Sequence, residues 1–211
     1  MATSSAALRD AAANCESASD IMNVLATAEA LAVSMLGAAL ESAEKGELAM
    51  SQEQVLTFTA ARAEEQAHYE ALTQADAVAA TLSFTVPDPM ILTDMEVFLP
   101  AVVGLEEVVV AAYLAAAQEF AALDQPKLVQ RALAIAAVEA EHRVAVRFFA
   151  TGAGVLKGLP NDIAFEKALF TSVGGAADAL QQLGWIGGNG DEITYPGPGK
   201  IDTTGVHQLK S

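Results

Sequence analysis

An all-α fold, an antiparallel four-helix bundle with one long crossover, is predicted by three features of this sequence. The chain is 53% hydrophobic but only 6% aromatic, and much of the apolar content is alanine; that mix suits closely packed helices better than a β-sandwich. Four long segments repeat apolar residues at the three–four spacing of a helix face. Two of them carry Glu-x-x-His midway, as Glu65-Gln-Ala-His68 and Glu139-Ala-Glu-His142. The i, i+3 spacing turns each carboxylate and its imidazole to one side.

At 211 residues the chain fits one domain. Residues 1–16 form an Ala/Ser-rich N-terminal segment with at most a short helical turn, and the bundle is expected over 17–154. Its first helix begins near Asp20, capped by Ser17 or Ser19, and runs to about Ala43, with Gly46 as a stop. Met22, Leu25, Ala32, Val33, Leu36 and Leu40 make the inward stripe, and Glu29 is the only acidic residue on it. Ser51-Gln-Glu-Gln54 is a capping box that opens the second helix. Its stripe is Val55, Phe58, Ala61, Glu65, His68 and Leu72, while Glu64 and Glu70 fall on other faces and read as solvated. Residues 81–92 contain Pro87 and Pro89 and form the crossover.

Thr93-Asp-Met-Glu96 is a second capping box, and Pro100 predicts a kink or break in the helix that follows. That helix carries Val103, Glu106, Val110, Tyr113 and Ala117 on one face and ends near Leu123. Asp124 and Pro126 restart the chain. The fourth helix presents Leu133, Ile135, Ala136, Glu139, His142, Val146 and Phe149 and stops around Gly152 and Gly154. Short C-terminal accessory helices are expected within 155–183, one over about 161–169 and a weaker one over 172–183. Residues 184–211 read as an extended Gly/Pro-rich tail with Trp185 and Tyr195, unable to form a core alone.

Eleven basic residues against 27 acidic ones give a formal net charge of −16. Such a chain repels nucleic acid and anionic membranes and attracts cations, so metal ions are the expected partners. Cys15 stands alone, which excludes an intramolecular disulfide or a CxxC site, and it reads as a small apolar filler. No stretch of about 20 residues is free of charge as a membrane span requires. The N-terminus shows no charged region followed by an apolar one. A soluble, cytoplasmic protein is expected.

The segment before each Glu-x-x-His holds a glutamate inside an apolar run, Glu29 in one case and Glu106 in the other. Glu29 and Glu106 are 77 residues apart, and Glu65 and Glu139, like His68 and His142, are 74 apart, the offset of a duplicated helix pair. Glutamate is 17 of 211 residues, so both helical histidines would find one at i−3 by chance in roughly 1% of random placements. Four carboxylates in an apolar core would each cost several kcal/mol unpaired. Two divalent cations would neutralise them, with the imidazoles as nitrogen donors.

The candidate ligands are therefore Glu29, Glu65, His68, Glu106, Glu139 and His142. Glu65 and Glu139 are assigned as bridges, each histidine to one metal, and Glu29 and Glu106 as terminal ligands. Glu106 is preferred to Glu107 because only it is in phase with Val103, Val110 and Tyr113. Tyr113 is a candidate hydrogen-bond partner for a ligand, with a core tyrosine as the plainer reading. His207 has no ligand spacing. Oxygen and nitrogen donors without thiolate favour two Fe or Mn ions per chain, a mixed pair included, over zinc or copper.

This motif order resembles the ferritin-like superfamily of di-metal carboxylate proteins. Leu105-Glu-Glu-Val-Val-Val-Ala-Ala-Tyr113-Leu, together with Glu65-Gln-Ala-His68 and Val138-Glu-Ala-Glu-His142-Arg143, is most similar to the ferritin-like domain of bacterial desiccation-related proteins, over roughly residues 17–185. Ala32 stands where many relatives carry a second acidic residue, residues 33–36 lack their aromatic pair, and many relatives are exported. The resemblance implies a stress-protection setting and a redox activity with O2 or peroxide, of ferroxidase, oxidase or peroxidase type. Metal storage or sequestration is the first alternative, and a structural or interaction protein with the bundle as scaffold is the second. A homo-oligomer, with contacts through the C-terminal tail, is expected.

Overall fold

The computed structural model describes residues 16–207; Cys15 and the N-terminal turn expected before it lie outside them. Four long helices make an all-α bundle: α1 Ala18–Glu44, α2 Gln52–Thr73, α3 Met95–Ala122 and α4 Pro126–Gly152. α1 packs chiefly on α2, and α3 on α4. A short helix, α5 Val173–Gln182, lies against α1 and α3. Both α1 and α3 contain an 18-residue window apolar enough to cross a membrane, at mean hydropathy 1.6 and 1.9, which the charge pattern alone did not suggest. In this fold 72% and 67% of those windows are buried inside the protein.

The helix starts follow local chemistry. Ser17 accepts from the Asp20 amide at 3.1 Å, and Ser51 and Gln54 form the reciprocal capping box. α3 is capped one residue later than the Thr93 box suggests. Residues Pro89–Leu92 form a 3-10 turn that closes on Thr93, so the Asp94 carboxylate takes the Glu96 amide at 2.8 Å. Pro100 does not break α3. It sits in the second turn, where it removes one backbone bond, and Phe98, Leu99 and Val102 around it are buried. Leu133, expected on the inner stripe of α4, is instead 48% exposed.

The helix expected over 161–169 does not form. The polar groups there are committed elsewhere. Arg147 donates to the Pro160 and Leu159 carbonyls at 2.9 and 2.8 Å and to Asp162 at 2.5 Å. Arg143 grips Glu166 with both terminal nitrogens, at 2.5 and 2.6 Å, which ties this segment along α4. The helix at α5 is started from outside itself: Glu119, buried on α3, accepts from the Val173 amide at 2.8 Å.

The tail docks on the bundle through a two-stranded antiparallel sheet, β1 Ser83–Val86 within the crossover and β2 Asp191–Thr194. Phe84 pairs with Ile193 and Val86 with Asp191. Phe84, Val86 and Ile193 turn inward and the intervening residues outward, the period-two pattern of a half-buried strand. A side chain at Gly190 would run into the Val86 carbonyl, so this approach needs glycine. Trp185 and Tyr195 are buried, and the Tyr195 hydroxyl bonds the side-chain amide of buried Gln66 at 3.0 Å.

Tyr195→Phe should therefore cost about 1 kcal/mol of stability, the typical loss for one buried hydrogen bond. Urea unfolding of the two proteins checks this, and equal midpoints would mean that the tail contributes nothing through that bond.

Candidate metal centre

The apolar stripes of the four helices converge halfway along the bundle on a set of polar side chains. Glu29, Glu65 and Glu139 are fully buried, and Glu106 and His142 are 4% and 6% exposed. The donor atoms of Glu29, Glu65, His68 and Glu139 lie within 4.8 Å of one another, and so do those of Glu65, Glu106, Glu139 and His142. Glu65 and Glu139 belong to both quartets. All six expected side chains thus meet, with Glu106 on the inside and Glu107 half-buried beside it.

The two halves cross over. His68 on α2 comes closest to Glu139 on α4, Nδ1 to Oε1 at 2.8 Å, and His142 on α4 comes closest to Glu65 on α2, Nδ1 to Oε1 at 3.0 Å. The remaining Nδ1-to-carboxylate distances, to Glu29, Glu65 and Glu139, are 3.4–3.6 Å. These contacts are close but not aligned as hydrogen bonds. Glu29 Oε2, both oxygens of Glu65 and of Glu139, and Nδ1 of both histidines are buried with no hydrogen-bond partner. Orphaned atoms of this kind are rare in folded cores and call for an explanation. Neighbouring donors roughly 3 Å apart are what an octahedral ion with bonds near 2.1 Å requires, so the residues fit a metal.

Electrostatics divide the set in two. Burial, reinforced by the charges of Glu139 and Glu65, pushes the Glu29 carboxyl well above its usual range, and burial with Glu65 and Glu139 does the same to Glu106. Burial also works against ionised Glu65 and Glu139, but His142 beside one and His68 beside the other hold both below the usual range. Both histidines are correspondingly raised: burial disfavours their charge, and Glu139 for His68 and Glu65 for His142 outweigh it. Burial thus favours the protonated form of the two outer carboxyls, while each inner carboxylate favours the charged form of the imidazole it faces.

Two residues around the cluster orient it. The Tyr113 hydroxyl donates to Glu29 Oε1, which leaves Oε2 facing the centre. Burial and the adjacent Glu29 keep Tyr113 protonated by raising it well above the usual phenol range. Glu64 holds Nε2 of His142 at 2.8 Å, so the ring presents Nδ1 to the cluster. Glu64 is half-exposed and not fully solvated as its phase on α2 suggests. No signal on its own helix could have found it, because its partner stands on α4. His207 is exposed in the tail, away from the centre.

Residues 17–151 match the model of a family described as a ferritin-like domain. No curated protein and no solved structure matches the chain.

The protonation pattern sets a pH dependence. Glu29, Glu106, His68 and His142 are raised, so above pH 6.5 the folded chain holds more protons than the unfolded one and loses stability as pH rises through their folded values. Glu65 and Glu139, being lowered, act only below pH 4.5, where protonating them costs stability. Chelator-treated protein should melt at progressively lower temperature from pH 6.5 to 8.5, and Mn(II) should flatten that slope. A melting temperature independent of pH without metal would contradict the pattern.

Proposed function

Because the chain belongs to the ferritin-like domain family, we propose that its bundle holds two iron or manganese ions, a mixed pair included, for redox chemistry with O2 or peroxide. The observation that carries this reading is the convergence of seven buried, unpartnered donor atoms from Glu29, Glu65, His68, Glu139 and His142. Donors left without hydrogen-bond partners in an apolar core are costly, and two divalent ions would satisfy them.

In this reading Glu29 and His68 would hold one ion, Glu106 and His142 would hold the other, and Glu65 and Glu139, which belong to both quartets, would serve the two together. When bound, the ions supply the two-electron exchange. The chain's own residues do the rest. The Tyr113 hydroxyl donates to Glu29 Oε1 and so fixes which oxygen is free. Glu64 fixes the tautomer and tilt of His142. The buried walls of α1 and α3 keep bulk water from Glu29, Glu65 and Glu139, which strengthens the charge interactions among them. The kinship with desiccation-related proteins is part of the same proposal, and the bond from Tyr113 to Glu29 supports it, since Tyr113 belongs to the third-helix pattern on which that likeness rests.

The test is metal analysis of protein purified without chelators, followed by anaerobic Fe(II) addition and exposure to O2. Two ions per chain and catalytic turnover are expected, and Glu65→Ala with Glu139→Ala should abolish both. Hundreds of irons per assembly would replace this reading with storage. A melting temperature unmoved by Fe or Mn would end it.

A further inference from the structure

The helix pairs α1–α2 and α3–α4 are each closely packed, but α2 and α4 barely meet. Two cavities fill the cleft between them and share Thr57, Glu141 and Ala145. The inner one, 350 Å³, is walled by Leu36, Phe58, Ala61, Val102 and Val146 and ends on Glu106 and His142. The outer one, 670 Å³, is walled by Val144, Phe148 and Phe149 and opens beside Pro160 and Asn161. Glu29, His68 and Tyr113 line neither, so the cleft reaches the centre from one side only.

The size is far more than O2 or peroxide needs, since even the inner cavity would hold on the order of ten water molecules. It falls in the range of organic ligand sites, and apolar walls with few polar groups are their usual lining. The charge selects further. Glu53, Glu64 and Glu141 are the charged residues along the cleft above its floor, and no lysine or arginine lines it. With a net charge of −16 behind them, an anionic molecule is repelled and a cationic head is held at the mouth.

We infer that the α2–α4 cleft binds an amphiphilic amine, its apolar body pointing inward to the Glu106 and His142 side and its ammonium group resting among the mouth carboxylates. Binding itself needs only the cleft; the role as a substrate or modulator of the centre rests on the metal reading above.

The probes are octylamine, 1-octanol and octanoate, titrated calorimetrically into the full chain with and without Co(II). Octylammonium should bind with a dissociation constant below ~1 mM, octanol several-fold more weakly, and octanoate not measurably. Glu53→Gln with Glu141→Gln should reduce octylammonium binding about tenfold and leave octanol unchanged. Ala145→Trp, at the half-exposed junction of the two cavities, should abolish both while circular dichroism stays native. Octanoate binding as tightly as octylamine, or no binding of either, overturns the inference. So does a dimer in sedimentation that Phe148→Asp dissolves while octylamine fails to bind, which would mean that a second copy covers the cleft. Absorption of bound Co(II) separates the two readings. Two Co(II) per chain without amine binding leaves the metal centre and removes the cleft, and the reverse result removes the metal centre alone.

Discussion

Four carboxylates buried together in an apolar core are the constraint on which the rest of this protein depends. Glu29, Glu65, Glu106 and Glu139 come from four different helices, so each helix must deliver one charge to the same point. Left bare, such a cluster costs more than a bundle of this size can spare. The chain limits that cost by protonation and by pairing. Two imidazoles face two carboxylates across the helix pairs, and Tyr113 donates to a third. Two divalent ions would do the same more completely, replacing four protons with four positive charges. The cluster is thus drawn toward neutrality while its lone pairs still point inward.

The remaining architecture keeps those lone pairs fixed. α3 is buried along much of its length, with Val103, Glu106, Val110, Tyr113 and Ala117 all inside. Its rotation about its own axis is therefore set by packing on α4, α1 and α5. Arg143, next to His142 in the chain, is anchored through Glu166 to the segment after α4, and the tail is laced to the crossover by the β1–β2 pair. These contacts lie away from the donors. They brace the helices that carry them, and they leave the α2–α4 side loosely closed beside the tight α1–α2 and α3–α4 pairs.

Much of the centre was legible because a helix face is a local property. The 3–4 spacing places Glu29 among Leu25, Val33 and Leu36, and Glu106 among Val103, Val110 and Tyr113, whatever the rest of the chain does. The duplication then ties the halves together. What escaped were relations between segments. Ser-Phe-Thr-Val at 83–86 alternates as a strand should, but nothing nearby marks Asp191–Thr194 as its partner. The 161–169 segment has a helix-like start, yet Arg143 holds its Glu166 and Arg147 its Asp162, and no helix forms there. Glu64 lies off the apolar stripe of α2, and only the position of α4 turns it toward His142.

By itself, then, the sequence determined which side chains face inward and in what order along the helices, because backbone periodicity fixes direction relative to a helix's own axis. The tertiary structure decided the rest. It set His68 against Glu139 and His142 against Glu65, and it brought Glu64 to the back of one imidazole. It also opened a cleft that reaches the centre at Glu106 and His142 and buried Tyr113 behind Glu29. Those outcomes depend on the spacing and rotation of whole helices against one another, which follow from the sum of packing contacts across the core and from no single stretch of chain.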